Sequence, residues 1–175
     1  MKKKIVFIMN PISGTASKAS IPNLIDSILD KDRFEYEIRT TERAGHASEI
    51  ASEAKEAHVD IVVAVGGDGT VNEVARAIVH SDTALGILPC GSGNGLARHL
   101  MLPMNLKKSI EIINQYEIHD LDYGVINGYP FFCTCGMGFD AFVSMKFAES
   151  GKRGPISYAE NILREGLKYQ PETYT

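Results

Sequence analysis

The chain has little cysteine, no excess of basic charge and no long apolar run, and each lack removes a class of protein. Cys90, Cys133 and Cys135 are its only cysteines. They form no CxxC pair, so neither a disulfide framework nor a zinc site is supported. They read as small buried hydrophobes in a reducing cytosol, which makes the expected location cytoplasmic. A formal net charge of −4 argues against a broad basic face for nucleic acid. No apolar run approaches the roughly 18 residues that a membrane span needs, so any membrane contact has to be peripheral. Lys2, Lys3 and Lys4 ahead of "IVFIM" imitate a signal peptide, but Asn10-Pro11 stops the run and leaves a first strand. His46, His58, His80, His99 and His119 show no paired spacing, and no metal ligand set is assigned.

What is present alternates. The pattern predicts strands over 4–9, 34–40, 60–65 and 84–88, with helices over about 20–31, 46–58 and 70–80 between them. "DIVVAV" and "ALGILP" are apolar throughout rather than on every second residue, as strands covered on both faces should be. Such alternation predicts a doubly wound, mostly parallel α/β sheet. Short helices over 94–100 and 105–115 follow. Two β-prone runs around Asn127-Gly128 then predict a hairpin, and two further helices over 139–150 and 155–169 are broken by "GKRGP". The change of character puts a domain boundary near residue 120, giving a nucleotide-type α/β domain over 1–120 and the opening of a β-rich second domain over 121–175. A hairpin and two helices do not bury a core alone, so the second domain reads as incomplete. Its unfinished strand edges would be able to pair with another copy, which leaves a homo-oligomer open.

Three strands end in glycine loops: "NPISG" (Asn10 to Gly14), "GGDGT" (Gly66 to Thr70) and "PCGSGNG" (Pro89 to Gly95). Ligands of open parallel sheets sit beyond the carboxyl ends of the strands. There, glycine admits a close backbone approach and a helix N-terminus favours an anion. A plain turn with a capping box, Thr70-x-x-Glu73, would explain "GGDGT" without a ligand. Asp68 shifts the balance, because a carboxylate in an anion cradle makes sense if it holds magnesium or takes a proton from an attacking hydroxyl. No Walker A pattern occurs. "GMGFDA" (136–141) matches a loose dinucleotide fingerprint, but no strand completes its βαβ unit, and it reads instead as a joint into a helix.

Together with "TTERAGHA" (40–47), "GGDGTVNEV" (66–74), "LGILPCGSGNGLARHL" (85–100) and "GFDA" (138–141), these motifs resemble the diacylglycerol kinase catalytic-domain family. That family includes bacterial diacylglycerol kinases, YegS-like lipid kinases and sphingosine kinases. The resemblance implies a phosphofructokinase-like domain that transfers phosphate from ATP, with Mg2+, to a lipid substrate at the membrane surface. By position, Asn10, Pro11, Ile12, Ser13 and Gly14 would line the nucleotide and Thr41 would contact it from the second loop. Gly67, Asp68, Gly69, Thr70, Val71, Asn72 and Glu73 would wrap its phosphates, Ser92 would donate from the fourth strand's loop, and Asp68 would act in catalysis. Thr15 stands where several members carry lysine, with Lys18 the nearest substitute. The family's general base and structural magnesium ligands fall past residue 175, so the chain alone is expected to bind nucleotide without turnover. "GSGNGLAR" is closer to the sphingosine kinase form of this loop. An NAD-kinase-like metabolite kinase, which shares "GGDGT", and a non-catalytic nucleotide-binding module remain as alternatives. Arg98 and His99 could face an acidic ligand or solvent, Lys152 and Arg153 read first as a plain surface turn and second as a contact for anionic lipid headgroups, and Phe131 and Phe132 read as core.

Overall fold

The computed structural model describes residues 1–14, 18–149, 162–164, 169–171 and 173. Four strands, β1 (Lys3–Met9), β2 (Phe34–Thr40), β3 (Ile61–Gly66) and β4 (Ala84–Pro89), form one sheet in the order β2-β1-β3-β4. Every pairing in it is parallel. The helices α1 (Ile21–Ile28), α2 (His46–Glu56), α3 (Asp68–Ile78), α4 (Gly95–His99) and α5 (Leu106–Gln115) supply the connections and the cover. A two-stranded antiparallel ribbon follows, β5 (Gly124–Ile126) with β6 (Tyr129–Phe131), turned at Asn127 and Gly128. The fold class is therefore the expected one: doubly wound α/β, with a second small sheet beginning.

Period-two alternation divides the strands between two cores. Val6, Ile8, Val62 and Ala64 meet Ile50 and Ala51 of α2, Val71 and Val74 of α3 and Leu96 of α4. Ile5, Phe7, Val63 and Val65 meet Ile21 and Ile25 of α1 and Ile110 and Ile113 of α5. All of β3 is buried, which is why its sequence shows no polar face. The chain leaves β1 toward β2 on one side and returns to β3 on the other. The ends of β1 and β3 thus flank the switch in strand order where such sheets bind ligands.

Two boundaries differ from the sequence reading for local reasons. α1 stops at Ile28 because Asn114 of α5 accepts from the Asp30 N–H (2.9 Å) and donates to the Ile28 carbonyl (2.9 Å), while Asp30 Oδ1 collects the amides of Asp32 and Arg33. α3 begins at Asp68, two residues before Thr70, with Gly67 as its N-cap and no capping side chain. Thr70 is therefore inside the helix, and the capping box of the plain-turn alternative does not form.

The described residues fall into two compact units, Met1–Cys133 and Thr134–Thr175. The β5–β6 ribbon lies in the first unit, where Arg76 Nε donates to the Pro130 carbonyl (2.8 Å), the Tyr123 hydroxyl meets His80 Nε2 (2.6 Å) and Phe132 packs on the core. In the second unit, α6 (Phe139–Glu149) follows Gly138, whose φ is 66°, and the rings of Phe139 and Phe142 pack on Tyr169. The expected helix over 155–169, and Lys152 and Arg153, lie largely or wholly outside the described residues. The cysteines correct the expectation of burial: Cys90 is half-buried and Cys133 and Cys135 are exposed. Directly after β6, Phe132 packs on the core while Cys133 stays exposed. Among the described residues, no helix is long and apolar enough to cross a membrane.

Candidate functional site

The loops that end β1, β3 and β4 come together at one rim, and their glycines are what allow it. A Cβ on Gly91 would lie 2.4 Å from the Gly67 Cα, and one on Gly14 would lie 2.0 Å from the Cys90 carbonyl oxygen. Gly14 also has φ 67°, a conformation that side chains disfavour. Backbone thus meets backbone at both joints, first loop against fourth and third against fourth.

Polar side chains complete the lock. Asn10 Nδ2 donates to Thr70 Oγ1 (3.2 Å), joining the first loop to α3, while Asn10 Oδ1 accepts from the Ile12 N–H (3.1 Å). Glu73 Oε1 accepts from the Gly45 N–H (3.1 Å), which pins the second loop to α3; this is where the carboxylate goes instead of closing a capping box. Asp68 accepts from the N–H groups of Asn94 (2.8 Å) and Gly95 (2.5 Å), one on each oxygen. The aspartate of "GGDGT" therefore caps α4 across the rim, and charge-assisted bonds of this kind are stronger than neutral ones.

Asn94 is the residue that reading by motif passed over. It adopts the left-handed conformation at φ 54° and is 8% exposed. Its Oδ1 accepts from the Gly91 N–H and its Nδ2 donates to the Gly91 carbonyl, both at 2.8 Å, so it closes the fourth loop upon itself. The available signal was an asparagine between two glycines, since Asn tolerates the left-handed region better than most residues.

Of the residues proposed from sequence, Asn10, Ser13, Gly14, Gly67 and Ser92 sit on these rim loops and Asp68 and Gly69 open α3 beside them, Asp68, Gly69 and Ser92 being exposed. Pro11 and Ile12 also stand out in solvent, Ile12 at 70% exposure. Thr70 and Val71 turn their side chains into the protein, so they offer a ligand only backbone, and Asn72 is half-buried. Thr41 is buried beside the end of β1, its N–H donating to the Met9 carbonyl (2.9 Å). His46 begins α2, and its Nδ1 accepts from the Glu42 N–H (3.1 Å). Arg98 is exposed on one edge and donates from Nε to the Gly93 carbonyl (2.9 Å). Lys18, 7% exposed, extends its ammonium to the Ser13 carbonyl. Burial pushes the Cys90 thiol above its ordinary pKa, and the Lys18 charge partly opposes this.

Residues 4–126 match the diacylglycerol kinase catalytic domain. The chain belongs to that family. A diacylglycerol kinase of Staphylococcus saprophyticus is 32% identical over 163 residues, covering 90% of this chain and 53% of that protein. One from Staphylococcus aureus is 30% identical over 163 residues, with 90% and 51% covered. A crystal structure of a diacylglycerol kinase from Bacillus anthracis superposes with a TM-score of 0.63 at 26% identity, over 74% of this chain and 48% of that one. The chain thus spans about half the length of the family members it matches. All the rim loops described above fall inside the matched domain.

Proposed function

We propose that the chain is the nucleotide-binding portion of an ATP-dependent lipid kinase, which passes the γ-phosphate of ATP to a lipid hydroxyl of the diacylglycerol or sphingoid type. The observation that carries this reading is the cross-locked rim: three glycine loops fastened to one another at the switch in strand order, around an α3 N-terminus that no side chain caps. Uncapped first-turn amides and the helix dipole favour phosphate there. Phosphoryl transfer asks chiefly for alignment and for neutralisation of charge on the moving group. A rim already fastened has little ordering left to do when a nucleotide binds.

In this role Asp68 is first a positioning residue. It holds Asn94 and Gly95, and with them the fourth loop, at a fixed distance from α3. Each of its oxygens accepts one N–H, which leaves lone pairs for water or a cation. Among the described residues no group of three or more His, Cys, Asp or Glu gathers as a metal site. A single exposed carboxylate fits magnesium, which takes most of its ligands from water and substrate phosphates. When bound, that ion would neutralise charge on the phosphates; Asp68 would orient it, and Lys18 would add positive charge beneath the first loop.

Calorimetry with ATP, ADP, AMP and NAD, each with magnesium, tests the reading on the folded chain. ATP should bind most tightly, with affinity falling as phosphates are removed. A folded protein that ignores ATP would refute the proposal, and preference for NAD would favour a metabolite kinase. Transfer of labelled γ-phosphate to diacylglycerol or sphingosine in mixed micelles, assayed on a protein spanning the relatives' full length, tests the lipid acceptor.

A further inference from the structure

The connection between α4 and α5, Leu100 to Asn105, takes no part in locking the rim loops except through one contact, from Asn94 Nδ2 to Met104 Sδ at 3.8 Å. Its conformation is unusual. Met101 follows α4 in the left-handed conformation, φ 56°, with its N–H on the Arg98 carbonyl (3.0 Å) and the Leu102 N–H on the Ala97 carbonyl (2.8 Å). Glycine normally fills this helix-ending position. A methionine there bears a backbone penalty and gains no burial in return, being 89% exposed. Leu100 and Met104 beside it are also exposed.

The loop is nevertheless held firmly. Ser109 Oγ donates its one hydrogen to the Pro103 carbonyl (2.7 Å), with the Asn105 carbonyl sharing it at 3.2 Å, and Asn105 caps α5 by accepting from the Lys108 N–H (3.1 Å). On its flanks stand Arg98 and the exposed Lys107 and Lys108. None of the ion pairs among the described residues uses them. From Thr83 to Ile110 the sequence contains no acidic residue, although the whole chain carries a net charge of −4. Single exposed apolar residues are ordinary. Three on one short, braced connection, with cations on both sides that join no ion pair, are a different matter.

We propose that this connection is a docking tongue for an anionic lipid surface. Met101, with Leu100 and Met104, enters the boundary between headgroups and acyl chains, while Arg98, Lys107 and Lys108 meet the headgroup phosphates. Amphipathic surface anchors combine these two features, apolar insertion and electrostatic attraction. The choice of a membrane over a protein groove rests on the charge: the cations complement an anionic bilayer, and the apolar tip protrudes instead of presenting a face. α4 has five residues, about 7–8 Å of helix, so the tongue holds the Asp68 clamp within one short helix of the lipid. This inference depends on the lipid-kinase reading for its purpose and not for its geometry.

The chain contains no tryptophan, so Met101→Trp introduces a single reporter. Its emission should shift to the blue on adding phosphatidylglycerol-containing vesicles but not pure phosphatidylcholine vesicles, while Asp32→Trp, in the exposed turn before β2, should not respond. Lys107→Gln with Lys108→Gln should weaken vesicle binding of the otherwise unchanged chain by about thirtyfold, and added salt should weaken the original chain in the same direction. Met101→Gln should lower binding to anionic vesicles. Emission from the Met101→Trp variant that is indifferent to anionic vesicles, or binding by Met101→Gln equal to that of the original chain, would overturn the proposal; a protein partner at the tongue would give that same result. ATP calorimetry on the same samples separates the two readings. Nucleotide binding without vesicle binding sinks only the tongue, and vesicle binding without nucleotide binding sinks only the kinase.

Discussion

Replacing Asp68 with alanine removes two hydrogen bonds to backbone amides, from Asn94 at 2.8 Å and Gly95 at 2.5 Å. Bonds to a charged acceptor contribute about 1.5–3 kcal/mol each when sheltered, but Asp68 is exposed, and solvent takes over part of the work. Loss of a helix cap, roughly 0.5–2 kcal/mol, is the closer guide. We therefore expect Asp68→Ala to destabilise the fold by about 1–2 kcal/mol, which lowers the melting temperature by roughly 2–8 °C in a protein of this size. Asp68→Asn keeps one acceptor oxygen and should fall between the alanine variant and the original. Differential scanning calorimetry gives the global value, and hydrogen exchange gives the local one, with the amides of Asn94 and Gly95 exchanging faster in the variant than in the original. A purely chemical role for this carboxylate predicts no change in either. Unaltered melting together with unaltered exchange at those two amides would refute the clamp.

Gly91→Ala sets a Cβ 2.4 Å from the Gly67 Cα, a collision between two backbones that should cost about 1–3 kcal/mol and reduce ATP affinity in the same calorimetric titration. Asn94→Ala strips the Gly91 N–H and carbonyl of their partners and should cost about 2–3 kcal/mol, read by urea unfolding; Asn94→Gly, which tolerates the left-handed backbone, should be milder. Asp60 gives a pH prediction. Burial alone would raise its pKa, but the Lys3 ammonium (2.7 Å) and the Lys4 N–H (2.8 Å) outweigh burial and lower it. Because the folded value is depressed, the stabilisation is complete above the ordinary carboxylate range and is lost as pH falls through that lowered value. Asp60→Asn should accordingly show a shallower loss of stability below about pH 4 than the original chain.

The strands and their order of burial were legible because β1 and β3 carry apolar residues toward both cores, a pattern that needs no tertiary information. The rim was legible as a location for the same reason: glycine clusters follow apolar runs. What the glycines touch was not. Gly14 meeting Cys90 and Gly67 meeting Gly91 are contacts between segments far apart in the chain, and nothing local encodes them. The same gap explains Glu73. Its spacing from Thr70 satisfies a local capping rule, but α3 starts earlier and the Gly45 amide, 28 positions away, claims the carboxylate. Exposure of Cys133 and Cys135 escaped notice because a small sulfur residue looks the same on either side of a core boundary.

Asn114 carries a consequence for synthesis. The seal on the end of α1 comes from a residue 86 positions beyond Ile28 in the chain, and Arg33 fastens itself to the same place by donating to the Asn114 carbonyl (2.5 Å). As the polypeptide emerges from the ribosome, the first βαβ turn must wait, loosely closed, until α5 is made. Nascent chains halted before residue 114 should therefore be cut by protease near Asp30, and the cleavage should cease once α5 has cleared the exit tunnel.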